Sequence, residues 1–146
     1  MAENPTSAEI LKLRRDLQDY VTAIGNGSTI DLYADEANAQ IKRDLRDSHG
    51  IEWSQVYDDP DYLLDSDGRA NNDDRIKNMI AMLAIAYVFR DYSIAVSDSQ
   101  WFDLYLFYRD EYKTALAQAK LDVDSNDDGT ISEGEEQQTT QSFTVR

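Results

Sequence analysis

The feature that most constrains this chain is the run MIAMLAIAYVF at residues 79–89, in which the Tyr87 hydroxyl is the only polar side-chain group. A helix that is apolar nearly all round has no face to give to water, so other elements must surround it. The pattern predicts a central helix over residues 74–95, and it requires the rest of the chain to supply its covering. At well under the roughly 20 residues that a membrane span needs, the run is read as the heart of a protein core.

Covering elements are visible on both sides. Thr6 and Glu9 form a capping-box pair after Pro5, and Ile10, Leu13, Leu17, Tyr20, Val21 and Ile24 then recur at helical spacing up to Gly25. After the turn GNGS, the residues Ile30, Tyr33, Ala34, Ala37, Ile41 and Leu45 predict a second helix, with basic residues in its last turns and Gly50 as its C-cap. Residues 51–74 lose the period and are rich in Asp and Asn, which predicts a long connection pinned by Trp53, Val56, Tyr57, Leu63 and Leu64. Beyond the central helix, Ser97 and Gln100 read as another capping box, and Trp101, Leu104, Tyr105, Tyr108, Tyr112, Ala115, Leu116 and Ala119 carry a fourth helix to about Leu121. Only SFTV near the end alternates with the period of a strand. The fold class is therefore all-α: a small four-helix bundle with a long connection between its second and third helices and an extended C-terminal tail. The expected divisions are 1–122 for the bundle, 123–135 for an acidic loop and 136–146 for the tail.

A chain of 146 residues, 41% of them hydrophobic, is long enough for one such core. Its net charge of −15 repels nucleic acid and anionic membrane, so binding DNA as a ligand is disfavoured. An acidic lining that lets a duplex slide past without phosphate contacts is compatible with it. The absence of cysteine removes disulfides, thiolate metal sites and thiol nucleophiles. The start MAENPTSAEI has no charged-then-apolar leader pattern, so a soluble, non-secreted protein is expected.

The sharpest motif is DSNDDGTISEGE at residues 124–135. Asp124, Asn126, Asp128, Thr130, Ser132 and Glu135 occupy positions one, three, five, seven, nine and twelve of an EF-hand-like calcium loop, with Gly129 at six and Ile131 at eight. Hard oxygen ligands at alternate positions converge on a hard cation, glycine allows the sharp turn, the seventh residue offers its carbonyl, and the final glutamate closes the site with both oxygens. The plain alternative is an acidic stretch produced by composition, which the glycine, isoleucine and terminal glutamate make the weaker reading. A calcium sensor also needs an apolar exit helix and a paired loop. The segment after the loop has no apolar residue before Phe143, and no second loop of this spacing occurs. The expected cofactor is thus a structural Ca2+ that fixes the direction in which the tail leaves.

Other candidates are weaker. The cluster Asp65, Asp67 and Gly68 has its glycine too early for the same loop and reads as a solvated turn. His49, the lone histidine, sits at a helix end, where an imidazole more often meets the C-terminal dipole than a substrate. The Trp101, Tyr105, Tyr108 and Tyr112 stripe reads first as core, with a tyrosine or two left for a subunit contact. Lys12, Arg14 and Arg15, and again Lys42, Arg43 and Arg46, are either solvated faces with local acids or surfaces that meet an acidic face of a neighbour. Neither a phosphate loop, a nucleophile elbow nor a poised carboxylate pair is legible, so a non-enzyme is expected.

The succession AQIKRDLRDSHGIEWSQVYDD, IKNMIAMLAIAYVFRDYS and WFDLYLFYRDEYKTALAQAKLDVDSNDDGTIS resembles the head-to-tail connector (adaptor, or head completion) proteins of tailed bacteriophages. The likeness covers about residues 30–132 and rests on the aromatic helix ending in YKTALAQAKLDVD and running into the acidic turn. It implies a small helical bundle that forms a ring, expected as a homododecamer, beneath the portal protein. Such a ring extends the DNA channel, lets DNA pass without specific binding, and presents a platform to the next tail-side neck or stopper protein. The resemblance further implies a virion location in the particle neck, after synthesis in the host cytoplasm, and portal docking through the C-terminal segment. In this chain that segment offers Ser142, Phe143, Thr144 and Val145, whose strand propensity suits pairing with a portal strand edge. The competing expectation is a stand-alone calcium-binding regulatory module.

Overall fold

The computed structural model describes residues 4–50, 72–118, 120–121 and 138–139. These form five helices, α1 (Ser7–Leu13), α2 (Leu17–Ile24), α3 (Ile30–His49), α4 (Asn72–Ala95) and α5 (Gln100–Gln118), and one two-residue ladder of β1 (Lys120–Leu121) with β2 (Gln138–Thr139). The all-α class expected from periodicity is the observed one, and the helices pack as a small bundle.

Every substantial helix–helix interface among the described residues includes α4. From Ile76 onward its side chains disappear into the core: Met79, Ile80, Leu83, Ala84, Ile85, Ala86, Val88 and Phe89 are all buried. The alanines let neighbouring helices approach closely, while Ile, Leu and Phe fill the space between them. Its partners contribute Ile10 from α1, Leu17 and Val21 from α2, Ala34, Ala37, Ile41 and Leu45 from α3, and Tyr112 and Leu116 from α5. The run that looked like a central helix in the sequence is one.

The first predicted helix is two. Thr6 caps α1 as expected, accepting a bond from the Glu9 amide at 3.2 Å while Glu9 accepts from the Thr6 amide at 3.1 Å. That engagement of its carboxylate by the Thr6 amide holds Glu9 below its ordinary pKa. At Arg14 the backbone turns extended (φ −146°, ψ 97°) and the helix resumes at Leu17. The apolar stripe runs through this break without a missed beat, so periodicity could not reveal it. The physical reason lies in Arg14. Its guanidinium bonds Asp16 at 2.7 Å and the Tyr108 hydroxyl at 3.3 Å, and sits 5.0 Å from the centre of the Phe89 ring. A residue placed by periodicity on a polar helix face instead turns inward, and Leu13, expected in the core, is left 52% exposed.

The remaining ends follow their caps. Thr29 accepts from the Leu32 amide at the start of α3, and Gly50 closes it in the left-handed conformation at φ 70° with its amide bonded to Leu45, a conformation that costs glycine nothing. At α5 the expected capping by Ser97 is replaced: Ser97 is left-handed at φ 54°, and the Asp98 carboxylate accepts from the Gln100 amide at 3.0 Å. The last helix also stops earlier than expected, at Gln118, and Leu121 belongs to the ladder.

Candidate functional site

Several polar contacts among the described residues bridge the seams between helices. Tyr33 on α3 donates to Asp91 on α4 at 2.8 Å, and Arg90 joins Asp91 at 2.9 Å to Glu36 at 3.1 Å. Tyr112 on α5 donates to Asp44 on α3 at 2.5 Å, and Gln40 donates to the other oxygen of the same carboxylate at 2.8 Å. Tyr20 donates to Asp16 at 3.0 Å beside Arg14. Burial, and then the neighbouring carboxylate, raise the pKa of Tyr33 to about 12 and that of Tyr112 further still. For Asp16 burial opposes ionisation, but the bonds from Arg14 and Tyr20 win and hold it below its ordinary value. The α3–α4 and α3–α5 seams thus each carry a phenol donating to a carboxylate, a directional bond that a pure hydrocarbon seam lacks.

The aromatic stripe of α5 is mostly core, as its first reading had it. Trp101 lies parallel to Phe89 at 6.2 Å and edge-on to Tyr92 at 5.2 Å, and Tyr20 approaches Phe89 at 5.1 Å. Of the basic residues, Arg14 is partly buried against Tyr108 and Phe89, Arg43 bonds Gln40, and Arg46 pairs with its neighbour Asp47. Arg46 thus has the local acid that the solvated-face reading expects, whereas the partner of Arg43 is an amide oxygen.

The bundle leaves several large apolar side chains uncovered. Ile94 is 72% exposed and Leu32 56%, with Val96 and Phe102 also open and Phe107 further along α5. Leu32, Ile94, Val96 and Phe102 share one end of the bundle, because the Tyr33–Asp91 bond sets the start of α3 beside the last turns of α4 and α5 begins just after the turn that follows. None of the four was singled out by periodicity. The signal was there in inverse form: Leu32, Phe102 and Phe107 are apolar residues lying off the stripe of their own helices.

A second surface feature is a groove of about 270 Å³ where α1 crosses the first half of α4, with Pro5, Leu13 and Ala81 as its apolar lining and Lys12, Lys77 and Glu9 at its polar edge.

The calcium-loop residues Asp124, Asn126, Asp128, Thr130, Ser132 and Glu135 and the docking residues Ser142, Phe143, Thr144 and Val145 lie outside the described residues, as do the 65–68 turn and the side chain of His49. The backbone on either side of the loop is described. Lys120 pairs with Thr139 and Leu121 with Gln138 in antiparallel register, so the chain entering the 124–135 segment and the chain leaving it run side by side. Among the described residues no group of three or more acidic, His or Cys side chains converges as a metal site, and no helix is long and apolar enough to cross a membrane.

Comparison of the chain with protein-family models, with curated proteins and with solved structures returns no match.

Proposed function

We propose that this protein is a structural subunit of a tailed-phage neck, an adaptor that assembles as a ring beneath the portal, extends the DNA channel and joins head to tail. The observation that carries the reading is the apolar end of the bundle, where Leu32, Ile94, Val96 and Phe102 stand open to water. Exposed apolar side chains gathered at one end of a bundle suit a contact with another protein. The helical architecture is the one that the connector resemblance calls for, and the net charge of −15 suits a channel wall that DNA must pass without adhering.

Within this reading the 124–135 loop holds a structural calcium ion. The donor set is all oxygen, the choice of a hard cation, with Asp124, Asn126, Asp128, Ser132 and Glu135 giving side-chain oxygens and Thr130 its carbonyl. The ladder of β1 with β2 supports a clip rather than a sensor, because the exit from the loop folds back on its entrance. The ion would cancel carboxylate repulsion inside the loop and so favour that return. The tail beyond β2, with Ser142, Phe143, Thr144 and Val145, is then delivered to the portal as an edge strand.

Native mass spectrometry of the protein mixed with its cognate portal, with and without chelator, tests the reading. A ring on the portal whose yield falls on chelation is the expected result. A monomer that binds calcium and ignores the portal would favour the regulatory module instead. Truncation after Gln141, which spares β2, is expected to abolish portal binding while leaving the melting temperature unchanged.

A further inference from the structure

The turn GNGS between α2 and α3 belongs neither to the core nor to the proposed contact surfaces. It carries the only Asn-Gly pair in the chain, Asn26–Gly27. The Ser28 amide donates to the Gly25 carbonyl at 3.0 Å, and the two residues between them are left-handed, Asn26 at φ 56° and Gly27 at φ 73°. Two positive φ values in succession are the mark of a type I′ turn, which selects Asn-Gly because asparagine tolerates that region and glycine is at ease in it. Both residues are exposed. Among the described residues neither the Asn26 carboxamide nor the Gly27 amide has a hydrogen-bond partner, and a Cβ placed on Gly27 would meet nothing within 4 Å. The Gly27 nitrogen is thus an open nucleophile next to an open carboxamide.

We infer that Asn26 is a self-modification site, at which the Gly27 backbone nitrogen attacks the Asn26 Cγ and converts the asparagine to aspartate and isoaspartate. In the first step the N–Cγ bond forms and the Cγ–Nδ2 bond breaks. The Gly27 amide proton passes by way of solvent to Nδ2, which leaves as ammonia, and a cyclic imide remains. In the second step water adds to one of the two ring carbonyls. Addition at Cγ gives aspartate, whereas addition at the backbone carbonyl gives isoaspartate, with the chain now running through the side chain. Water is the only co-reactant. Ring closure needs a rotation at Asn26 that opens the Ser28–Gly25 bond, a single contact in an exposed turn, and the glycines on both sides follow that rotation without a side chain to obstruct it.

The other described asparagines with placed side chains are held back. Asn4 precedes Pro5, whose nitrogen has no proton to lose. Asn38 lies within α3 with its carboxamide bonded to Asn4 at 2.6 Å, and Asn78 lies within α4 ahead of the buried Met79. Inside a helix the following amide is committed to the backbone ladder. Each event at Asn26 adds a carboxylate to a chain of net charge −15, and the isoaspartate form lengthens the backbone of the turn that joins α2 to α3. The chemistry needs neither a ring nor a portal.

The full chain is aged for several weeks in mildly alkaline buffer at body temperature, checked by circular dichroism to have stayed folded, and digested with trypsin. The peptide from Asp16 to Lys42 is expected to gain about 1 Da as NH2 is replaced by OH, with fragment ions placing the gain at residue 26. It should separate into two new chromatographic forms, one of which accepts a methyl group from an isoaspartyl methyltransferase supplied with S-adenosylmethionine. Asn38 and Asn78 are expected to stay intact, and so is the residue at 26 in Asn26→Gln, whose longer side chain closes the ring far less readily. An Asn26 that survives in the folded chain overturns the inference, and its loss from a guanidinium-unfolded sample aged alongside would assign that protection to the turn. Conversion of Asn38 or Asn78 at an equal rate would overturn it as well, as would aspartate formed at residue 26 with no isoaspartate.

Discussion

Tyr112 reaches across from α5 to Asp44 on α3 through a single hydroxyl at 2.5 Å, and so joins two helices that otherwise meet mainly through α4. Removing that oxygen in Tyr112→Phe leaves the carboxylate with Gln40 as a remaining partner and is expected to cost about 1.5 to 3 kcal/mol, as for other hydrogen bonds to charged groups. Urea unfolding of the two proteins measures it, and an unchanged midpoint would show the bond to be idle. The phenols also set an alkaline limit. Burial, helped by Asp91 at Tyr33 and by the Glu36 charge at Tyr87, raises both from 10.0 to about 12 in the fold. A raised folded pKa means that the contribution is complete below pH 10 and is lost as the pH climbs from 10 towards about 12. The unfolding midpoint should fall across that interval, while the phenolate absorbance of the native protein lags behind that of the unfolded chain. On the acid side the depressed Glu9 and Asp16 act in the opposite sense, their contributions being lost as the pH falls below their ordinary values of 4.5 and 3.8. Little of this was legible beforehand. A tyrosine at a core-facing position announces its ring by periodicity, but which carboxylate its hydroxyl finds depends on how α3 and α5 are placed around α4.

Among the elements, α4 was legible in full because its all-apolar middle admits only one environment, and α3 because stripe and caps agree. The α1–α2 break was not, since Leu13 and Leu17 keep helical spacing straight through it and the cause is a long-range contact from Arg14 to Tyr108 and Phe89. Phe89 meets Tyr20, Trp101, Tyr108 and Arg14 together. Phe89→Ala is therefore expected to cost about 3 to 5 kcal/mol, read from denaturant unfolding and accompanied by loss of the near-ultraviolet dichroism of Trp101. The calcium loop belongs to this scale as well. If it is the clip proposed, a free calcium concentration a hundredfold above the dissociation constant stabilises the fold by about 2.7 kcal/mol, seen as a rise in melting temperature that Asp128→Ala with Glu135→Gln abolishes. No response in the wild type would remove the ion from the account.

Among the described elements, one helix receives all the others. The apolar faces of α1, α2 and α3 have no sufficient partner in one another, and the element that completes them comes later in the sequence. During synthesis on a ribosome, Ile10, Leu17, Val21, Ile41 and Leu45 therefore remain uncovered until residue 95 has cleared the exit tunnel. At roughly 5 to 20 residues per second the interval lasts for several seconds. A nascent chain halted before α4 should engage holding chaperones and resist refolding, whereas one halted just beyond α5 should be released as a compact domain. The same dependence predicts that the described helices unfold together as one cooperative unit.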